Sequence, residues 1–165
     1  NENDQAETQV IKLIRAVNDA SVQAVWFWPN VDSGSDGTSR GIRRFREKNP
    51  DLKIRFIKNL EPPQFLSLLK HSKGIIGNSS VGIRECSFLG IPCINIGSRQ
   101  KNRERGANVV DVSYEYLDIL ESLKNLLQGE LTFSGTNIYG DGTAGKRMAD
   151  IIANIELTSE KHFLD

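Results

Sequence analysis

Residues 77–86 read GNSSVGIREC and follow directly on the apolar run Gly74-Ile75-Ile76. A strand that ends in a turn of small polar residues and opens into a helix exposes free backbone N–H groups. Together with the helix dipole these favour an anion. Ser79 and Ser80 add hydroxyl donors, and Glu85 falls on the first or second helical turn. A carboxylate there can accept hydrogen bonds from two vicinal hydroxyls, as in a ribose. Phosphate at the helix start and ribose at the glutamate together describe a nucleoside diphosphate. The same residues also read as a serine N-cap followed by a solvated charge, and spacing alone leaves both readings open. The stretch is neither a Walker loop nor a GxGxxG fingerprint, because no GKS or GKT follows and the glycine spacing differs.

Other residues could join such a site. The segment IGSRQKNRERG, 96–106, carries Arg99, Lys101, Arg103 and Arg105, of which one or two could clamp a pyrophosphate. A solvated charged loop is the simpler account. Asn30, in WPNVDSGSDG, could bond a base, sugar or phosphate, or serve only the turn. Arg40, Arg43 and Arg44 fall on the next helix, where a solvated face is the default. YGDG, 139–142, reads as a turn and cap before the last helix, and His71 and His162 as surface residues. No nucleophile–base pair, metal cluster or carboxylate dyad is evident. The chain therefore reads as a binding unit without a catalytic residue, a metal or a cofactor of its own.

The elements that must position these residues alternate. Apolar positions Val10, Leu13, Ile14 and Val17 predict a helix over about 4–18, with Asp4 as cap and Glu7 as its capping-box partner. VQAVWFWPN predicts a buried strand and LKIRFIKN an alternating one. A helix over about 38–47 lies between them. EPPQFLSLLKHS starts a helix with prolines in its first turn. Short strands GIIGN, IPCINIG and ANVVDV follow, separated by a helix SVGIRECSFLG closed at Gly90 and by the polar loop. YEYLDILESLKNLLQ and about 143–156 complete the helices. Short, continuously apolar strands alternating with helices indicate an α/β fold, a parallel sheet covered on both faces. Ligands then bind beyond the carboxyl ends of the strands, which singles out the loops at 29–37, 58–62, 77–80 and 97–106.

At 165 residues the chain fits one domain. Its 21 Lys and Arg balance 21 Asp and Glu, which argues against a nucleic-acid surface or a polybasic membrane contact. No apolar run approaches the roughly 20 residues of a membrane span. The two cysteines, Cys86 and Cys93, read as small core residues. The opening residues lack the pattern of a secretory signal, and a cytoplasmic protein is expected. The chain starts at Asn1 and enters a helix almost at once, as a piece of a longer protein would.

GNSSVGIRECSFLGIPCINIGSRQ, together with WFWPNVDSGSDG, FIKNLEPPQFLSLLKHSKGIIGNSS and NIYGDGTAGKR, strongly resembles the UDP-N-acetylglucosamine 2-epimerase family, and its hydrolysing branch in sialic and legionaminic acid biosynthesis most. The resemblance covers nearly the whole chain in order. It implies a Rossmann-like three-layer domain, the second half of the two-domain GT-B architecture seen in UDP-glycosyltransferases and glycogen phosphorylase. Residues 1–165 would be the single UDP-binding domain. By motif, Ser79 and Ser80 would bind the diphosphate, Glu85 the ribose hydroxyls and Arg99 the phosphates, with Asn30 a further contact. The family's catalytic carboxylates lie in the first domain and a histidine motif precedes the first helix seen here, so both are expected outside the chain. Arg40 and Arg43 also match arginines that bind a feedback inhibitor in animal members. The implied partners are UDP and a UDP-sugar, with no nucleic acid, no membrane and a homodimeric full-length protein. Residues alone leave three functions open: this epimerase, the nucleotide-sugar half of a GT-B glycosyltransferase, and a non-catalytic nucleotide sensor. The sugar, N-acetylglucosamine or a di-N-acetylated bacillosamine, is also left open.

Overall fold

The computed structural model describes residues 2–30 and 34–156, so the middle of the first strand-end loop and His162 lie outside the described residues. Helices and strands alternate as α1 (Glu2–Asp19), β1 (Ala24–Phe27), α2 (Ser35–Lys48), β2 (Ile54–Ile57), α3 (Pro62–Lys70) and β3 (Ile75–Gly77). They continue as α4 (Ser80–Ile83), α5 (Glu85–Leu89), β4 (Cys93–Ile96), β5 (Val109–Val112), α6 (Tyr116–Gln128) and α7 (Ala144–Asn154). Every ladder is parallel. β1 pairs with β2 in the register Ala24↔Ile54, and β4 lies between β3 and β5 in the registers Ile75↔Cys93 and Cys93↔Val109.

The strands are buried on two faces, and β3 shows how. Ile75 packs with Leu69, Cys86 and Ile91, the cluster under α3 and α5. Its neighbour Ile76 packs with Ile14, Val17, Ile94, Ile119 and Leu123, the cluster under α1 and α6. Successive side chains of a strand point to opposite faces, so helices cover both. Trp26 of β1, Ile54 of β2 and Ile96 of β4 share the second cluster, which gives the two ladders one core. All four residues of β4 are buried, as expected of a central parallel strand. The Rossmann-like α/β expectation is met.

Local departures have physical causes. α1 begins at Glu2, so Asp4 lies inside the helix rather than at its cap. Glu7 turns instead to α2, which approaches closely because Gly41 has no Cβ. One built there would sit 2.5 Å from Val10 and 3.0 Å from the Glu7 carbonyl. α2 begins at Ser35, three residues ahead of the expected start. The single helix expected over 80–90 is broken at Arg84. The Gly82 carbonyl, which would accept the Cys86 N–H in a continuous helix, accepts from Asn108 Nδ2 at 3.2 Å. A side chain entering the ladder is a recognised cause of such a break. Gly90 closes α5 in the left-handed conformation, φ 69°, as the sequence indicates.

Candidate functional site

β3 stops at Gly77, whose φ of 141° favours glycine. The chain then turns through Asn78 and Ser79 into α4. Ser79 caps that helix, its Oγ accepting from the Val81 N–H at 3.3 Å. The cap does not exhaust the residue, because a hydroxyl that accepts one bond still has its proton to donate. Ser79 is exposed and Ser80 half-buried.

The break at Arg84 makes Glu85 the first residue of α5. Glu85 is half-buried, and its Oε2 is buried with no hydrogen-bond partner. An unpaired buried carboxylate oxygen is costly, so a ligand hydroxyl would meet an acceptor already held dry. Glu85 borders a hollow of about 670 Å³ between α3 and α5, which Leu66, Lys70, His71, Phe88 and the 139–142 turn also line. Among the marked site residues only Glu85 lines this hollow; Ser79, Ser80, Arg99 and Asn30 do not.

The polar loop is folded, not loosely solvated. Its backbone turns through Lys101 N–H to Ser98 O at 2.9 Å, and Asn102 takes φ 68°. Arg105 was one of four cations that could have met a pyrophosphate. Its Nη1 instead donates to both oxygens of Asp111, at 2.7 and 2.8 Å. Asp111 also accepts from Asn95 Nδ2 at 2.7 Å. The Asn95 amide first, and then Arg105, hold its carboxyl below the ordinary range. Arg99, Lys101 and Arg103 are exposed. Gln100, beside Arg99, is buried, and its Nε2 donates to the Asn78 carbonyl at 2.8 Å, which joins the loop to the serine turn.

Asn30 is exposed beyond the end of β1, on the other ladder. Phe27 meets Phe65 of α3 edge-to-face at 5.3 Å, which sets that strand end beside α3. Arg40 and Arg43 have different surroundings. Arg40 Nε lies 3.4 Å from Glu7 Oε2, whereas Arg43 borders a separate hollow of about 520 Å³ with Trp28 and Phe56. All three arginines of this α2 face are exposed, as expected of a solvated face, although Arg44 Nη1 also donates to Glu7 at 3.0 Å. His71 bonds the Ser67 carbonyl through Nδ1 at 2.8 Å, at the end of α3. Asp141 accepts from the Thr143 hydroxyl at 2.6 Å and its N–H at 3.0 Å, the turn expected of YGDG, while Thr143, at the N-cap of α7, does not make the expected side-chain cap.

Sequence reasoning missed the residues that bring distant segments to this edge. Tyr139 donates its hydroxyl to the Glu104 carbonyl, and Arg84 stands 5.9 Å from its ring. Thr136 N–H bonds the Ser87 carbonyl at 3.0 Å, which straps 133–136 over the end of α5. A Cβ on Gly90 would meet the Phe133 carbonyl at 2.8 Å. The aromatic residue in YGDG was the only sequence signal for these contacts. Cys86 and Cys93 are buried, and burial first of all pushes both thiols up to about 12. Neither is a nucleophile at neutral pH.

The family model described as UDP-N-acetylglucosamine 2-epimerase matches residues 1–153. The chain belongs to this epimerase family. Among family members it is similar to the UDP-N,N'-diacetylbacillosamine 2-epimerase (hydrolyzing) of Legionella pneumophila. Identity is 34% over 158 residues, covering 95% of this chain and 41% of that protein. It is similar also to the UDP-N-acetylglucosamine 2-epimerase of Neisseria meningitidis, at 31% over 162 residues, 93% of this chain and 41% of that protein. The chain thus spans about two fifths of the length of these epimerases. Its fold matches the crystal structure of Methanocaldococcus jannaschii UDP-GlcNAc 2-epimerase in complex with UDP-GlcNAc and UDP. The TM-score is 0.65 at 16% identity, over 92% of this chain and 42% of that one. Among the described residues no helix is long and apolar enough to cross a membrane.

Proposed function

We propose that this chain is the UDP-holding domain of a hydrolysing UDP-N-acetylglucosamine 2-epimerase. One observation carries the assignment of the site: Glu85, the first residue of α5 and a few residues beyond the Ser79–Ser80 turn that follows β3, keeps a buried carboxylate oxygen without a partner. In this reading Ser79 and Ser80 bond the diphosphate and Glu85 takes the two ribose hydroxyls. Arg99 meets the phosphates and Asn30 is a further contact. The assignment leaves out Arg40, because a regulatory phosphate there would have to displace Glu7.

The chemistry then divides between two domains. A base removes the proton beside the N-acetyl group, UDP departs, and a glycal forms. Water adds to it, giving N-acetylmannosamine when the sugar is N-acetylglucosamine. The groups that move these protons belong to the facing domain of the full-length enzyme. This domain stabilises the departing diphosphate with donors already in place, which lowers the barrier because they need no reorganisation as charge develops. Membership of the epimerase family and similarity to hydrolysing relatives support this reading over a glycosyltransferase.

Titration calorimetry of the chain with UDP tests the binding half. Measurable heat and a raised melting temperature are expected, with no turnover of UDP-sugar by this domain alone. No heat and no thermal shift at millimolar UDP would refute it. Product analysis of the full-length enzyme tests the reaction, which should release a free 2-epimerised sugar and UDP. Transfer to an acceptor with no free sugar would instead indicate a glycosyltransferase half.

A further inference from the structure

A connected set of polar side chains lies behind the serine turn, and none of them is assigned to the ligand. Gln100 is 3% exposed, and its Nε2 reaches the Asn78 carbonyl at 2.8 Å. The Gln100 carbonyl accepts from Arg105 Nη2 at 2.5 Å. Arg105 is held by Asp111, and Asp111 by Asn95, which is 1% exposed and directly opposite it in the β4–β5 register. The bonds therefore run without a gap from the central strand, through the 98–106 loop, to the peptide that precedes Ser79.

We infer that this set is a brace, with Gln100 a positioning residue that holds the Asn78–Ser79–Ser80 turn and Arg99 in one fixed relation for a diphosphate. The inference rests on the UDP reading above. Gly77 precedes the turn with φ 141° and open space where a Cβ would stand, so no side chain at that position holds the next peptide. The bond from Gln100 to the Asn78 carbonyl does. That peptide leads directly into the N–H and hydroxyl of Ser79. Arg99 adjoins Gln100 in sequence, so the anchor that fixes Asn78 also fixes the start of the Arg99 side chain. Oriented donors lose affinity steeply when displaced by even an ångström.

Stability alone gives a poor account of Gln100. Its Oε1 is buried with no hydrogen-bond partner, and a buried unpaired acceptor is unfavourable to the fold. A methionine of similar size would fill the same space, trading that penalty against the lost bond to the Asn78 carbonyl, so little net change in stability is expected. A structural role and a positioning role therefore predict different outcomes for Gln100→Met.

The test compares UDP with uridine on the wild-type chain, Gln100→Met and Asp111→Asn, with binding followed by calorimetry or NMR titration and melting recorded alongside. Gln100→Met should weaken UDP by roughly tenfold, leave uridine within about twofold and melt close to wild type. Asp111→Asn, which releases Arg105 from the surface side, should weaken UDP by about threefold in the same selective way. UDP affinity unchanged in Gln100→Met, or lost equally with that of uridine, overturns the inference. Should Gln100→Met fail to fold, an unaltered UDP-to-uridine ratio in Asp111→Asn overturns it. A wild-type chain that binds no UDP sinks the functional reading itself, and that failure is visible before any variant is made.

Discussion

Glu7 and Glu85 are both half-buried glutamates on helices, and the fold treats them in opposite ways. At the α1–α2 seam the Glu7 side chain is 12% exposed, with Arg44 Nη1 3.0 Å from one oxygen and Arg40 Nε 3.4 Å from the other. At the start of α5, Glu85 keeps Oε2 buried with no partner. The first carboxylate finds its counter-charges inside the chain and helps join two helices. The second is desolvated and left unmatched, which a fold selected only for stability would avoid. The contrast separates a carboxylate matched within the scaffold from one that the described residues leave unmatched.

The contrast breaks most visibly at Glu85. Glu85→Ala should weaken UDP binding by roughly 1.5–3 kcal/mol, as expected for charge-assisted bonds to hydroxyls, without lowering the melting temperature. Calorimetry and a thermal melt on the same variant decide. A lower melting temperature with unaltered affinity would return Glu85 to the scaffold.

Cys86 tests how dry the start of α5 is. Its thiol is pushed up to about 12 by burial, then by Cys93 and Glu85, while Cys93 is pushed up to about 12 by burial and then Asp111. Unfolded thiols ionise near 9.0, whereas the folded ones stay protonated to about 12. Stability should therefore fall as pH rises through that window, by about 1.4 kcal/mol per pH unit for each thiol. Urea midpoints at pH 8 and pH 10 measure it. Native-state alkylation at pH 8 should be slow until the chain is unfolded. Rapid alkylation would mean that Glu85 stands in water and that its unmatched oxygen carries no meaning.

Glu7→Gln should cost about 1 kcal/mol of stability, because both arginines are more than half exposed and can be rehydrated. UDP affinity should not change. The chemical-denaturation midpoint gives the first and titration the second. A loss of UDP affinity would tie the α1–α2 seam to the site.

Asp141 supplies the smallest effect. It is exposed and accepts two bonds from Thr143, whose hydroxyl first of all holds its carboxyl below the ordinary 3.8. A depressed pKa stabilises above the unfolded value and the effect is lost as pH falls through the folded one. Thr143→Ala should therefore raise the Asp141 pKa seen by NMR and loosen the start of α7 only slightly, leaving UDP binding intact.

Much of the fold was legible because periodicity and turn chemistry are local. The strands at 24–27, 54–57, 75–77, 93–96 and 109–112 all fall inside the stretches read as strands. Gly90 closes its helix as its type predicts. The break at Arg84 was not legible, since its cause, Asn108, lies 26 residues from Gly82. Glu7 read as a capping partner because Asp4 stands three residues before it, but the helix starts earlier and the side chain turns to α2. At the candidate site, Ser79, Ser80 and Glu85 could be picked out from spacing; the structure puts the two serines at the end of β3 and Glu85 at the start of α5, beside a hollow that the serines do not line. It does not bring Asn30 into contact with them, and it removes Arg105 from the candidate cations by pairing it with Asp111.

By itself the sequence determined the order of elements, the parallel α/β class and the serine turn at the end of β3, because each follows from short-range pattern. Tertiary structure alone decided which charges are already matched. Along the chain nothing marks Arg40, Arg44 and Arg105 as paired. Their partners Glu7 and Asp111 become neighbours only when α1 meets α2 and the 98–106 loop folds back on β5. Pairing depends on distance in space, which spacing along a chain does not encode.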